Sequence, residues 1–86
     1  MPDKDNMIAE LKLIVKPYIQ DEEGFENMHE GTDFINDLKI NSANLIDVIL
    51  DIEDKYDIVF DNESMDKMLN VRAALEIINQ KISEKQ

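Results

Sequence analysis

The segment Ser42-Ala43-Asn44-Leu45-Ile46-Asp47-Val48-Ile49-Leu50-Asp51-Ile52-Glu53-Asp54-Lys55-Tyr56 decides how the chain folds. Leu45, Val48, Ile49, Ile52 and Tyr56 recur at three- and four-residue steps, which lays them along one face of an α-helix. Ile46 and Leu50 fall four apart on a second strip, with Asp47, Asp51 and Asp54 close by. One core contact does not need that much apolar surface. Either the two residues widen the core face, or they form an exposed apolar strip rimmed by carboxylates, which is the anatomy of a protein-docking surface.

C-terminal to this helix, Asp57 to Phe60 contains Ile58, Val59 and Phe60 and could pass for a strand. No other segment offers it a partner, and a lone strand is not stable. It is expected to be an extended loop that plugs the core. Asp61 to Asn70 predicts a short helix with Met65, Met68 and Leu69 facing inward, and Asn70 can cap the last helix. Val71, Ala74, Leu75, Ile78 and Ile82 make the stripe of that helix, and Lys81 to Gln86 reads as a frayed polar end.

N-terminal to it, Gln20 to Asn41 has no helical period and holds both glycines, Gly24 and Gly31. It reads as a long loop, and loops of that length in small domains are usually functional or locally structured. Phe25, Phe34, Ile35 and Leu38 are expected to anchor it, with a helical turn through Phe34 and Leu38. Before it, Met7, Ile8, Leu11, Ile14, Val15 and Tyr18 form the first stripe, which Pro17 should stop or kink. The outcome is an all-α chain: four helices of unequal length, with a long first loop and a very short third helix, in one domain over 1–86 with its core at about 4–83.

The chain has 86 residues and a formal charge of −11. Such a field repels nucleic-acid phosphates and anionic membranes and attracts basic protein surfaces. The absence of cysteine rules out a disulfide framework and fits the cytoplasm. No apolar run approaches the ~20 residues of a membrane span, and Met1-Pro2-Asp3-Lys4-Asp5 lacks the basic and apolar regions of a secretory signal. The expectation is a cytoplasmic monomer that binds no nucleic acid and does not insert stably in membranes.

Signatures of catalysis are sparse. His29, the only histidine, lies in an acidic loop, and no motif joins it to Ser42 or Ser64 in a triad. The acidic runs Asp21, Glu22, Glu23, Glu26 and Asp57, Asp61, Glu63 lack the alternating ligands, central glycine and terminal glutamate of a calcium loop. No catalytic or metal-binding residue is therefore assigned. Ser42 remains, at a loop–helix junction. A serine there is first read as a helix cap. A helix start also has free N–H groups and a positive dipole end, which favour a nearby phosphate.

The segment Thr32-Asp33-Phe34-Ile35-Asn36-Asp37-Leu38-Lys39-Ile40-Asn41-Ser42 resembles the loop leading into the modified serine of acyl carrier proteins, where a phenylalanine and an Asp-Leu pair precede the serine at the same separations. Asp51-Ile52-Glu53-Asp54-Lys55-Tyr56-Asp57-Ile58 looks like that family's acidic second helix and its aromatic-Asp-Ile end. Met65-Asp66-Lys67-Met68 and Asn70-Val71-Arg72-Ala73-Ala74-Leu75 resemble its short third and its last helices. The register holds without a gap from about Gly31 to Ile78.

This resemblance implies a non-catalytic carrier with a 4′-phosphopantetheine arm, taken from coenzyme A, on Ser42, the acyl group riding as a thioester on its terminal thiol. It implies service in fatty-acid, polyketide or specialised lipid biosynthesis. The implied partners are a phosphopantetheinyl transferase and acyl synthase or ketosynthase-type enzymes with basic docking surfaces. They would read Asp47, Asp51 and Asp54 by charge and Ile46 and Leu50 by apolar contact. Ile49, Ile52, Leu69, Val71 and Leu75 would line a shelter for the acyl chain if the helices parted. The chain departs from the family at two positions: Asn41 stands where aspartate usually precedes the serine, and Ala43 where leucine usually follows it. Both would lie against the transferase, and both point to a specialised carrier. Two other readings stay open: a carrier of aminoacyl, D-alanyl or aryl groups, and an unmodified acidic helical adaptor.

Overall fold

The structure, a computed structural model, describes residues 4–85. Residues 1–3 of the opening segment and residue 86 of the tail lie outside the described part. The helices are α1 (Lys4–Val15), α2 (Glu22–Glu26), α3 (Ser42–Tyr56), α4 (Asn62–Lys67) and α5 (Val71–Lys85). No strand occurs among the described residues; the one β-contact is an isolated antiparallel bridge between Asp33 and Asn70. The fold is all-α, as the periodicity requires.

The apolar stripes meet in one core. Met7, Leu11 and Val15 of α1, Leu45, Val48, Ile49 and Ile52 of α3, and Val71, Ala74, Leu75, Ile77 and Ile78 of α5 are all buried in it. The long connection adds Phe34, Leu38 and Ile40, and the 57–60 loop adds Ile58 and Phe60 with Val59 turned out to solvent. Alternation in that loop therefore plugs the core without forming a ladder. α1 ends at Val15, two residues before Pro17, because the ring excludes the helical conformation for the residue ahead of it. Two hydroxyls stitch α1 and its end to α3: Tyr56 donates to Glu10, and Tyr18 donates to Asp51 at 3.0 Å. Burial and the carboxylate partner push the Tyr56 phenol well above its ordinary range.

Four details differ from the sequence reading. The long connection holds an extra helical segment, α2, so the described residues carry five helices rather than four. Its start is capped by Asp21, whose carboxylate accepts from Gly24 N. Leu69 and Ile35 do not face inward: they are 57% and 38% exposed. Leu69 lies where the loop is tied to the approach to α5, its carbonyl accepting from Phe34 N at 3.1 Å, and Ile35 lies in the turn that its N–H closes onto Asp33 Oδ1 at 2.9 Å. The C-terminal segment is helical to Lys85, not frayed. Lys81 pairs with Asp61 at 3.3 Å and Lys85 with Asp57 at 3.0 Å, which fastens α5 across the 57–61 turn.

Candidate functional site

The approach to Ser42 is locked locally. Asp33 accepts from Ile35 N and Asn36 N at 2.9 and 2.8 Å, and its own N–H donates to Asp37 Oδ2 at 2.8 Å. Asp37 N and Leu38 N both return to Asp33 O, completing the helical turn expected between Phe34 and Leu38. Lys39 then takes a left-handed conformation with φ 59°. This reverses the chain so that Ile40 is buried and its N–H reaches Phe34 O at 3.0 Å. Behind the turn, Gln20 N donates to Leu38 O at 3.0 Å and Gly24 of α2 rests against the Asp37 carbonyl. The anchors Phe34, Leu38 and Ile40 leave the next residues at the surface.

Ser42 is exposed and is the first residue of α3, not its cap. The cap is Asn41, in an extended conformation, whose side chain accepts from Ala43 N at 2.9 Å while its carbonyl accepts from Leu45 N at 3.0 Å. Serine and asparagine cap equally well, so sequence type did not separate them. This correction frees the Ser42 hydroxyl from capping. The first turn of α3 contains no acid, so the positive end of the helix meets no side-chain carboxylate in that turn, in a chain of net charge −11. A phosphodiester on Ser42 fits this place: the hydroxyl is reachable, the adjoining N–H groups favour an anion, and Asn41 and Ala43, both exposed, leave room around it.

Along α3, Ile46 and Leu50 are 56% and 49% exposed, which selects the exposed strip over a widened core. Asp47 and Asp54 are exposed; Asp51 is half-buried and bonded to Tyr18. Glu53 is also turned to the fold, accepting from Phe60 N at 2.6 Å. Tyr18 and Glu53 were missed by the sequence reading: Tyr18 acts across 33 residues, and Glu53 bonds to the loop that follows its helix, neither of which periodicity reports. Ile49, Ile52, Val71 and Leu75 lie in the shared core, whereas Leu69, grouped with them as a lining residue, lies outside it. His29 is exposed and bonded within its own loop, its Nδ1 accepting from Gly31 N at 2.9 Å. Among the described residues no three His, Cys, Asp or Glu side chains gather as a metal site, and no helix there is long and apolar enough to cross a membrane.

The described residues thus form an all-α bundle with a reachable serine at the acid-free start of an acidic, partly apolar helix. No family model matches the chain. The acyl carrier protein of Coprothermobacter proteolyticus is 28% identical to it over 83 residues, which span 96% of this chain and 99% of that protein. The chain is thus similar, from end to end and on an all-α fold, to an acyl carrier protein.

Proposed function

We propose that the chain carries acyl groups as thioesters on a 4′-phosphopantetheine arm at Ser42, in fatty-acid, polyketide or specialised lipid biosynthesis, and leaves the chemistry to partner enzymes. The observation that carries this reading is the exposure of Ser42 at a helix start with no acid in its first turn. When attached, the arm supplies the terminal thiol that bears the acyl group. In the attachment step, Ser42 Oγ bonds to the pantetheine-side phosphorus of coenzyme A. The pyrophosphate bond breaks, adenosine 3′,5′-bisphosphate leaves, and the hydroxyl proton passes to a base on the transferase.

The chain's own residues orient and present. Asn41 ends the loop and starts the helix with a neutral cap. Ala43 leaves a small apolar surface beside the attachment point. Ile46 and Leu50 offer apolar contact, and Asp47 and Asp54 offer charge to basic enzymes. Complementary charge raises the rate of encounter without slowing release, which suits a carrier that visits several enzymes in turn.

Intact-protein mass spectrometry after incubation with coenzyme A and a broad-specificity phosphopantetheinyl transferase tests the reading. Wild type should gain the mass of one phosphopantetheinyl group, and Ser42→Ala should gain none. No adduct on wild type, or an adduct that persists in Ser42→Ala, refutes it. Partner binding that is indifferent to Ser42→Ala would favour the adaptor.

A further inference from the structure

A cation stands where the backbone least favours a side chain. Lys39 has φ 59°, a left-handed conformation that glycine adopts freely and lysine only under strain. Strain of this kind persists where the surroundings fix it, and it gathers at functional sites. Here the surroundings do fix it. Leu38 and Ile40 on either side are buried, the Leu38 carbonyl accepts from Gln20 N, and Ile40 N donates to Phe34 O. Glycine would make the same turn with less strain, yet the chain keeps a long charged side chain there, and Lys39 is exposed.

Lys39 is the one lysine or arginine between Lys16 and Lys55, in a stretch crowded with carboxylates. It borders the cleft between α2 and the turn, together with Asp21, Glu23 and Asp37. Asp21 is occupied with Gly24 N and Asp37 with Asp33 N. Lys39 makes no ion pair among the described residues, whereas Lys4, Lys67, Lys81 and Lys85 each make one or more. Its ammonium group is thus uncommitted. Ser42 follows three residues later, so the two Cα atoms are at most about 10 Å apart. The flexible four-carbon stem of lysine reaches across much of that span. No acid in the first turn of α3 competes for the cation.

We propose that Lys39 holds the root of the arm: its ammonium group pairs with the phosphodiester on Ser42 Oγ from the loop side, while the start of α3 faces the same anion from the helix side. This rests on the carrier reading and adds to it a contact between the chain and its arm. The pair is exposed, so it is weak and sensitive to salt. It steadies the phosphate and leaves the distal thiol free to swing.

Thermal unfolding of the apo and arm-loaded forms of wild type, Lys39→Gln and Lys39→Arg tests the proposal. Loading with coenzyme A and a phosphopantetheinyl transferase is carried to its end point and checked by mass, so the rate of loading does not enter. Glutamine keeps a long side chain and the left-handed strain and removes the charge; arginine keeps the charge. At low ionic strength the change in Tm on loading should be more favourable in wild type than in Lys39→Gln by about 1–5 °C. Lys39→Arg should match wild type, and the difference should vanish at about 1 M salt. The phosphorus resonance of the phosphodiester should also shift between wild type and Lys39→Gln. Equal changes in Tm on loading in wild type and Lys39→Gln overturn the proposal, as does a difference that Lys39→Arg does not restore. If wild type takes no arm, the carrier reading itself fails; an arm taken with no dependence on Lys39 sinks only the phosphate contact.

Discussion

Replacing Gly24 by alanine sets helix propensity against packing, and the structure fixes which wins. Gly24 lies inside α2 without a positive φ, so its backbone suits alanine, and propensity alone favours the change by about 0.8–1 kcal/mol. A Cβ at this position, however, would sit 2.2 Å from the carbonyl oxygen of Asp37 and 3.0 Å from its carbon. Carbon–oxygen contacts of this kind settle at about 3.3–3.6 Å, so the two backbones must part by roughly 1 Å. No side chain can rotate to relieve the clash, because the opposing atoms are main chain. The neighbour Leu38 is fully buried, and its carbonyl is held by Gln20 N. Overpacking costs about 1–3 kcal/mol, and a rigid opponent puts this case at the upper end. Less the propensity gain, the net loss is about 2 kcal/mol, a fall in Tm of about 8–16 °C for a domain of this size. Thermal unfolding followed by far-UV circular dichroism measures it. Gly31→Ala is the control, since its Cβ would meet only the exposed His29 ring, at 3.0 Å, which can turn away at the cost of one exposed hydrogen bond from Gly31 N. A Gly24→Ala protein as stable as wild type would refute the claim that α2 is seated on the turn leading to Ser42.

Two further perturbations probe the same scaffold. Lys39→Gly should stabilise by about 0.5–1 kcal/mol, because the left-handed φ of 59° disfavours a side chain more than glycine's extra unfolded freedom disfavours folding. Asp57→Gly, at φ 54°, should gain nothing in urea denaturation, since it forfeits the bond to Lys85; equal gains at both positions would contradict this. Asp61 is held at about 2, below its ordinary 3.8, by Ser64 first, through its N–H and then its hydroxyl, and by Lys81 after it. A depressed carboxyl stabilises the fold above its unfolded value, and that share is lost as pH falls from about 4 to about 2. The urea midpoint should drop across this window, and less steeply in Asp61→Asn, which keeps the capping acceptor; parallel curves would show that Asp61 is not the group responsible.

What was legible in the sequence is what repeats. The stripes of α1, α3 and α5 each turn the residues their period selects to the core, with Ile8, Ile14, Tyr18, Tyr56 and Ile82 partly buried at its margin, and the apolar pair Ile46 and Leu50 takes the exposed of the two arrangements its spacing allowed. What was hidden depends on contacts between distant segments. α2 is five residues long with a glycine in its middle, a composition that reads as loop; an Asp21 cap and a close fit against Asp37 hold it in place. Leu69 looks like a core residue by type, yet its carbonyl accepts from Phe34 N while its side chain points to water. Asp51 has the spacing of a surface acid, and only the return of the chain past Pro17 brings the Tyr18 hydroxyl onto it.

The cap exchanged at Asn41 connects the fold to the proposed role. A helix start needs an acceptor, and an aspartate there would supply one together with a negative charge on the positive end of the dipole. Asparagine supplies the acceptor alone, and its bond to Ala43 N is intact at 2.9 Å. The first acid of α3 is Asp47, five residues beyond Ser42 and about 7.5 Å along the axis. Two demands that would otherwise conflict are thereby separated on one helix. A phosphodiester at Ser42 would face the positive end of α3 and no carboxylate from the first turn, while the acids proposed to attract basic enzymes begin more than a turn away. Moving an acid into that first turn would strengthen the helix start and the attraction to partners, but it would also repel the arm's phosphate at its root. The neutral segment from Asn41 to Asn44 is therefore the part of α3 where charge is best left out, and the sequence leaves it out there.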